Sequence, residues 1–202
     1  MDTKEIAVQC LKDEMQAISD LIPLLTDDFA KAVEMIRLCN GKVVVTGVGK
    51  SGHIAKKIAA TLASTGTPSF FLNPLDAYHG DLGMIAKNDI VMAISNSGKT
   101  EELMRIIPYI TNRDIPIIAM TGNRESALAK SAVCHLNIFV KKESCPLNLA
   151  PTSSTTATLA LGDALACALI YARNFTAQDY KAFHPGGSLG ARLAQRTPGA
   201  EF

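Results

Sequence analysis

The chain has no tryptophan, and aromatic residues of all kinds fill only 5% of its 202 positions. Nor does it hold a run of lysine and arginine with interleaved aromatics, and 20 basic against 19 acidic residues leave a formal net charge of +1. Such a surface neither draws a polyanion over distance nor offers bases a stacking platform, so neither nucleic acid nor membrane is expected as a partner. The five cysteines, Cys10, Cys39, Cys134, Cys145 and Cys167, are odd in number and lack metal-ligand spacing. They read as reduced, mostly core thiols rather than a disulfide framework or a metal site. The opening Met1-Asp2-Thr3-Lys4-Glu5 lacks the apolar core of a signal peptide. The most apolar stretch, Ala157 to Tyr171, is too short to span a bilayer and carries Asp163, so it reads as a buried helix. Together these absences point to the cytoplasm.

A hydrophobic share of 48% is enough to fill a large core, and no Pro/Gly/Ser-rich linker, solenoid repeat or low-complexity tract divides the chain. An amphipathic helix from about Thr3 carries Ile6, Cys10, Leu11, Met15, Ile18 and Ile22 on one stripe behind an Asp2/Glu5 capping pair. A second helix runs from Asp27 to Cys39. Strands are expected over 43–46, 69–72, 89–94, 115–120 and 135–140, with helices over 51–64, 100–112 and 126–131 and a loop with a short helix over 74–83 between them. A long helix from Thr155 and a last segment around Ser188 to Leu193 close the chain. Near-continuous apolar strands alternating with helices predict a three-layer αβα sandwich on a mainly parallel five-stranded sheet. The division expected is 1–40 for N-terminal helices packed on the domain, 41–196 for the domain and 197–202 for a tail.

Two of the strands run straight into loops of glycine and hydroxyl residues that open helices. These are Gly47-Val48-Gly49-Lys50-Ser51-Gly52 and Ser95-Asn96-Ser97-Gly98-Lys99-Thr100. A helix start offers free backbone N–H groups and about half a positive charge, so each loop is a candidate anion seat. The first loop has G-x-G-x-x-G spacing, but the strand that should end in the ribose-binding carboxylate ends in Asn73. A Walker loop fails too, because Val44 stands where its first glycine belongs. The second loop packs hydroxyl and amide side chains around one glycine, which suits the oxygens of a single phosphate monoester. The competing reading is a plain turn with Thr100 as N-cap and Glu101 and Glu102 answering the helix dipole.

These loops, with His79-Gly80-Asp81-Leu82-Gly83, Pro151-Thr152-Ser153-Ser154-Thr155-Thr156 and His184-Pro185-Gly186-Gly187-Ser188-Leu189-Gly190, resemble the sugar isomerase (SIS) domain of D-arabinose 5-phosphate isomerases. The resemblance covers roughly residues 5 to 193. Family members commonly carry a C-terminal pair of CBS domains, so a chain ending at Phe202 resembles a short or truncated member. In many members a histidine stands where this chain has Asn73, a departure that counts against a metal contact there.

The resemblance implies an intramolecular oxidoreductase that interconverts D-ribulose 5-phosphate and D-arabinose 5-phosphate through an enediol, without cofactor or metal. It implies a supply of 3-deoxy-D-manno-octulosonate (Kdo) for lipopolysaccharide. Lys50, Glu102, Glu143 and His184 are the implied catalytic residues: Lys50 against phosphate or enediolate charge, the two glutamates as proton carriers or organisers, and His184 as acid/base. Ser51, Ser95, Ser97, Thr100, Ser153 and Ser154 would hold the phosphate, with Gly66, Thr67 and His79 facing the sugar. Related domains place the corresponding histidine in trans, so a homo-oligomer, a tetramer, is expected. Two rivals remain: a non-catalytic sugar-phosphate sensor, and an isomerase of another ketose phosphate. His135, opening an apolar strand, reads as structural, and Asp163 as support for the site from behind.

Overall fold

A computed structural model describes residues 2–184 and 186. Five parallel strands, β1 (Val43–Gly47), β2 (Ser69–Leu72), β3 (Ile90–Ile94), β4 (Ile117–Thr121) and β5 (Cys134–Asn137), form one sheet in the order β2-β1-β3-β4-β5. Residues 43–47, 90–94 and 117–121 are buried throughout, because helices cover both faces. One face, with Val43, Val45, Met92, Ile94 and Met120, packs on α2 (Asp27–Leu38), α3 (Gly49–Ser64) and α7 (Ser153–Ala172). The other, with Val44, Val91, Ala93 and Ala119, packs on α4 (Pro74–Tyr78), α5 (Glu101–Thr111) and α6 (Ala127–Lys130).

The expected αβα sandwich is present, with differences at particular elements. The expected apolar stretch is the inner part of α7, whose 20 residues are long and apolar enough to cross a membrane by length and composition alone. It buries Ala157, Leu161, Leu165 and Leu169 against α1 (Thr3–Ser19), α2 and α3. The fifth strand is shorter than expected, because Asn137 turns its side chain onto the Phe139 N–H and ends the ladder. A helix that the periodicity did not announce, α8 (Ala177–Phe183), follows α7 behind a Thr176/Asp179 capping box. The segment expected around Ser188 to Leu193 and the 197–202 tail lie outside the described residues. α1 opens on the expected Asp2/Glu5 box, yet its stripe is largely uncovered, with Leu11 68% and Met15 66% exposed. Of the cysteines only Cys134 is buried, which corrects the core-thiol reading.

Candidate functional site

All five strands point the same way, so every strand-to-helix loop leaves from one edge of the sheet, here called the carboxyl edge. β1 and β3 are neighbours, with Gly47 paired to Ile94, and the chain order reverses between them. That switch point is where ligands collect in such sheets. It sets the start of α3 beside the loop that opens α5.

The α5 loop is built from within. Ser95 is buried; its Oγ lies 2.8 Å from Thr100 Oγ1 and accepts the Gly98 N–H at 3.1 Å. Gly98 has φ +63°, and a Cβ there would fall 2.2 Å from Ser126 Oγ, so only glycine lets the loop close against α6. Ser97 is exposed, its Oγ accepting from the Lys99 N–H. Ser95 and Thr100 therefore shape the loop, while Ser97 and the first N–H groups of α5 face outward. At the α3 start, Lys50 is exposed and Ser51 partly so. The third glycine, Gly52, packs so closely that a Cβ would meet Gly47 O at 2.7 Å.

Glu101 and Glu102 separate clearly. Glu101 is bound to Arg105 at 2.6 Å one turn on. Glu102, partly exposed in the same first turn, has no ion pair among the described residues. His79 is the exposed C-cap of α4, which packs on α5, so it stands on the same edge. Asn73 is spent locally, its Oδ1 accepting from the Leu75 N–H as the N-cap of α4. Among the described residues no three His, Cys, Asp or Glu side chains gather into a metal-ligating group.

The third helix start is already filled. α7 runs beside α3 in the same direction, Lys57 against Asp163 at mid-length, so both begin at the carboxyl edge. Its first turn is capped by Glu143, whose Oε2 accepts the Thr152 N–H at 2.8 Å, the Thr152 hydroxyl at 3.2 Å and the Ser154 N–H at 3.1 Å. Partial burial alone would raise the carboxyl's pKa, but the hydrogen bonds from Ser154 and Thr152 outweigh it and hold the carboxyl below its ordinary value. A carboxylate so stabilised is a weak proton acceptor. Glu143 thus already takes the Thr152 and Ser154 N–H groups at the helix start where Ser153 and Ser154 were expected to hold phosphate. The Ser153 hydroxyl is buried without a partner among the described residues.

Gly66, Thr67 and His184 are not brought to this edge. Gly66 and Thr67 lie between α3 and the beginning of β2, at the amino edge of the sheet. α7 spans about 30 Å to the same amino edge, where Arg173 donates to Gly66 O. There Gly66 and Phe183 of α8 line one cavity. His184 caps α8, stacked on Tyr180 at 4.0 Å between ring centres, with Nδ1 2.8 Å from Tyr180 O. Within one chain these three residues are therefore at the opposite end from Lys50, Glu102 and the phosphate loop, which corrects the expectation that Gly66 and Thr67 join the pocket directly. Asp163 pairs with Lys57 at 2.5 Å, both half-exposed on the outer side of α3 and α7, and gives the site no support from behind. His135 is buried, its Nε2 3.0 Å from Thr121 Oγ1, and burial pushes its pKa down.

A doubly wound parallel sheet with glycine and hydroxyl loops at its switch point is the architecture of a ligand-binding α/β domain, and the SIS domain family matches residues 35–168. The chain belongs to that family. It is 59% identical over 180 residues to "Arabinose 5-phosphate isomerase KdsD" of Pseudomonas aeruginosa, covering 89% of this chain and 55% of that protein. It is 53% identical over 196 residues to the protein of the same name from Yersinia pestis, covering 97% and 60%. The chain thus spans somewhat over half the length of these curated relatives. An Escherichia coli CFT073 protein solved in complex with arabinose 5-phosphate superposes with a TM-score of 0.87 at 42% identity, over 92% of this chain and 100% of that one.

Proposed function

We propose that the chain is the isomerase domain of an aldose–ketose isomerase interconverting D-ribulose 5-phosphate and D-arabinose 5-phosphate. The observation that carries this reading is the Ser95–Thr100 loop, locked by Ser95, Thr100 and Gly98 beside the α3 start, with Lys50 and Glu102 on its rim. The names of the relatives support this choice of sugar.

Ser97, Ser51 and the first N–H groups of α3 and α5 hold the phosphate. Lys50 offsets the charge that develops on the substrate. Glu102 takes a proton from C1 of the ketose while the C2 oxygen gains one, giving the 1,2-enediol. Return of a proton to C2 and loss of the C1 hydroxyl proton yield the aldose. No electron pair leaves the substrate, so the chemistry calls for no redox cofactor. Glu143 acts as an organiser: its lowered pKa makes it a poor base, and it fixes the start of α7. His79 faces the sugar. Gly66 and His184 complete the site from a second copy, His184 as acid/base, in a homo-oligomer that also covers the apolar stripe of α1. The enzyme works in the cytoplasm and supplies Kdo synthesis.

A coupled assay of the purified chain against pentose and hexose phosphates tests this. Turnover of the ribulose/arabinose pair is expected without nicotinamide, ATP or added metal, with inorganic phosphate competing. Binding without turnover would make the chain a sensor, and turnover of hexose phosphates alone would assign another ketose. Activity lost on exhaustive chelation and restored by a divalent ion would end the metal-free part of the reading.

A further inference from the structure

Arg173 directly follows α7, and its guanidinium bridges two elements that are distant in sequence. Nη1 donates to Gly66 O at 2.9 Å and Nη2 to Ile36 O at 2.8 Å. Ile36 lies in the last turn of α2, and Gly66 lies two residues beyond α3. Helix ends carry partial negative charge, which favours a cation there. No carboxylate pairs with Arg173 among the described residues. Asp179, which lines the same cavity, is spent on the N–H and hydroxyl of Thr176. The Arg173 Nε is buried and lacks a partner among the described residues. The residue as a whole is only half-buried, and a cation with a buried, unsatisfied donor is a poor way to gain stability. What the fork does supply is position, because only a planar guanidinium holds two carbonyls at a fixed angle.

The elements it holds lead directly to His184. Gly66 has φ +89°, and a Cβ there would lie 2.6 Å from the ring of Phe175, so that ring rests on the turn. Phe175 stacks on Phe183 at 6.1 Å with the planes 6° apart, and Phe183 adjoins His184. α8 has no buried residue of its own. Between the turn and α8 lies a cavity of about 330 Å³ lined by Gly66, Arg173, Phe175, Asp179, Ala182 and Phe183. With so open a seam, α8 depends on a few contacts for its placement. Thr67, 1% exposed, is carried on the same turn.

We propose that Arg173 is a positioning residue for the half-site, comprising Gly66 and His184, that each chain gives to a second copy. This rests on the shared-site reading above. The Arg173→Lys variant keeps the charge but reaches one carbonyl at a time, whereas Arg173→Ala removes both links. A displacement of about 1 Å at a reacting group costs up to about 100-fold, so a 10- to 100-fold fall in kcat with a small change in KM is expected for Arg173→Lys.

The decisive experiment mixes variant subunits under exchange. An Arg173→Ala chain still has an intact carboxyl edge, and a Lys50→Ala chain still has an intact amino edge, so mixing them should restore activity. Mixing Arg173→Ala with His184→Ala should restore none, because both lack the donated half. Hydrogen exchange on Arg173→Lys should rise at Gly66–Thr67 and over α8 while the Ser95–Thr100 loop stays protected. Wild-type activity in both Arg173 variants would overturn the proposal. So would rescue of Arg173→Ala by His184→Ala but not by Lys50→Ala, failure to rescue with either while the control pair succeeds, or unchanged exchange at the turn. The control pair is Lys50→Ala with His184→Ala. If that pair fails despite proven exchange, the shared site itself falls, and Arg173 falls with it as a donor-half residue.

Discussion

The two edges of the sheet carry opposite chemistry, and the cause is the direction of the chain. In a parallel sheet every helix after a strand starts at the carboxyl edge and ends at the amino edge. Backbone N–H groups and positive helix poles therefore collect at one edge, and carbonyls and negative poles at the other. The carboxyl edge holds the hydroxyl loops, Lys50, and a carboxylate, Glu143, seated on the start of α7. The amino edge holds a guanidinium, Arg173, seated on carbonyls at the ends of α2 and α3. An anionic substrate belongs to the first edge. His184 sits at the second edge, so in the shared-site proposal it reaches the substrate of another copy.

The sharpest break between two neighbours on one edge should come from Glu101 and Glu102. If Glu102 is the proton carrier proposed above, replacing it by Gln should lower kcat by about 10²–10⁴-fold with KM little changed. Replacing Glu101 by Gln removes an exposed ion pair with Arg105 and should leave turnover within about twofold, since such pairs contribute at most about 1 kcal/mol. Steady-state kinetics on both variants decide it. Equal losses would mean that helix-dipole charge, not proton transfer, is what this turn supplies.

Next in size is the phosphate seat. With Ser97 on the phosphate as proposed, the Ser97→Ala variant should lose a charge-assisted hydrogen bond worth about 1.5–3 kcal/mol, seen as a KM raised about 10- to 100-fold with kcat preserved. Gly98→Ala should be worse, because it forces a Cβ against Ser126 at a positive φ and distorts the whole loop. Unchanged affinity for the sugar phosphate in both variants would move the phosphate elsewhere.

The carboxyl edge was readable in the sequence because its signals are local. Strand, glycine and hydroxyl positions are contiguous in 43–52 and 90–100, and backbone geometry follows from adjacency. The amino edge was not readable, because its contacts join Ile36, Gly66 and Arg173 across more than a hundred residues, and no periodicity encodes that. α8 was missed for a different reason: it buries no residue, so no core-facing periodicity marks it. Its Thr176/Asp179 capping pair was the one signal available. Glu143 was recognised by resemblance, but its role as a cap for α7 depends on a turn through Asn148, whose side chain accepts the Glu143 N–H.

That cap gives a pH-dependent difference between the edges. Glu143 has its folded pKa lowered, with the hydrogen bonds from Ser154 and Thr152 overriding desolvation by partial burial. Its contribution to stability is therefore fully present above the ordinary carboxylate value of 4.5 and is lost as pH falls from there through the lowered native value. The Glu143→Gln variant should lose about 1–3 kcal/mol at neutral pH, and the gap from wild type should narrow below about pH 4. Thermal melts at a series of pH values test this. A gap that is constant down to acid would show that the amide serves the cap as well as the carboxylate does.

The smallest effect is expected midway between the edges, where the contact joins the two helices but touches neither site. Lys57 and Asp163 meet at 2.5 Å, yet their side chains are 46% and 43% exposed. Water and salt therefore screen most of the attraction, and an exposed pair of this kind contributes about 0.2–1 kcal/mol. A double-mutant cycle with Lys57→Met and Asp163→Asn should return a coupling energy in that range, falling further as salt shortens the Debye length below about 10 Å. Neither variant should shift kcat or KM. A coupling well above 1 kcal/mol, or a kinetic change in Asp163→Asn, would mean that α3 and α7 transmit position from one edge to the other. The two halves of the site would then be linked within the chain as well as between copies.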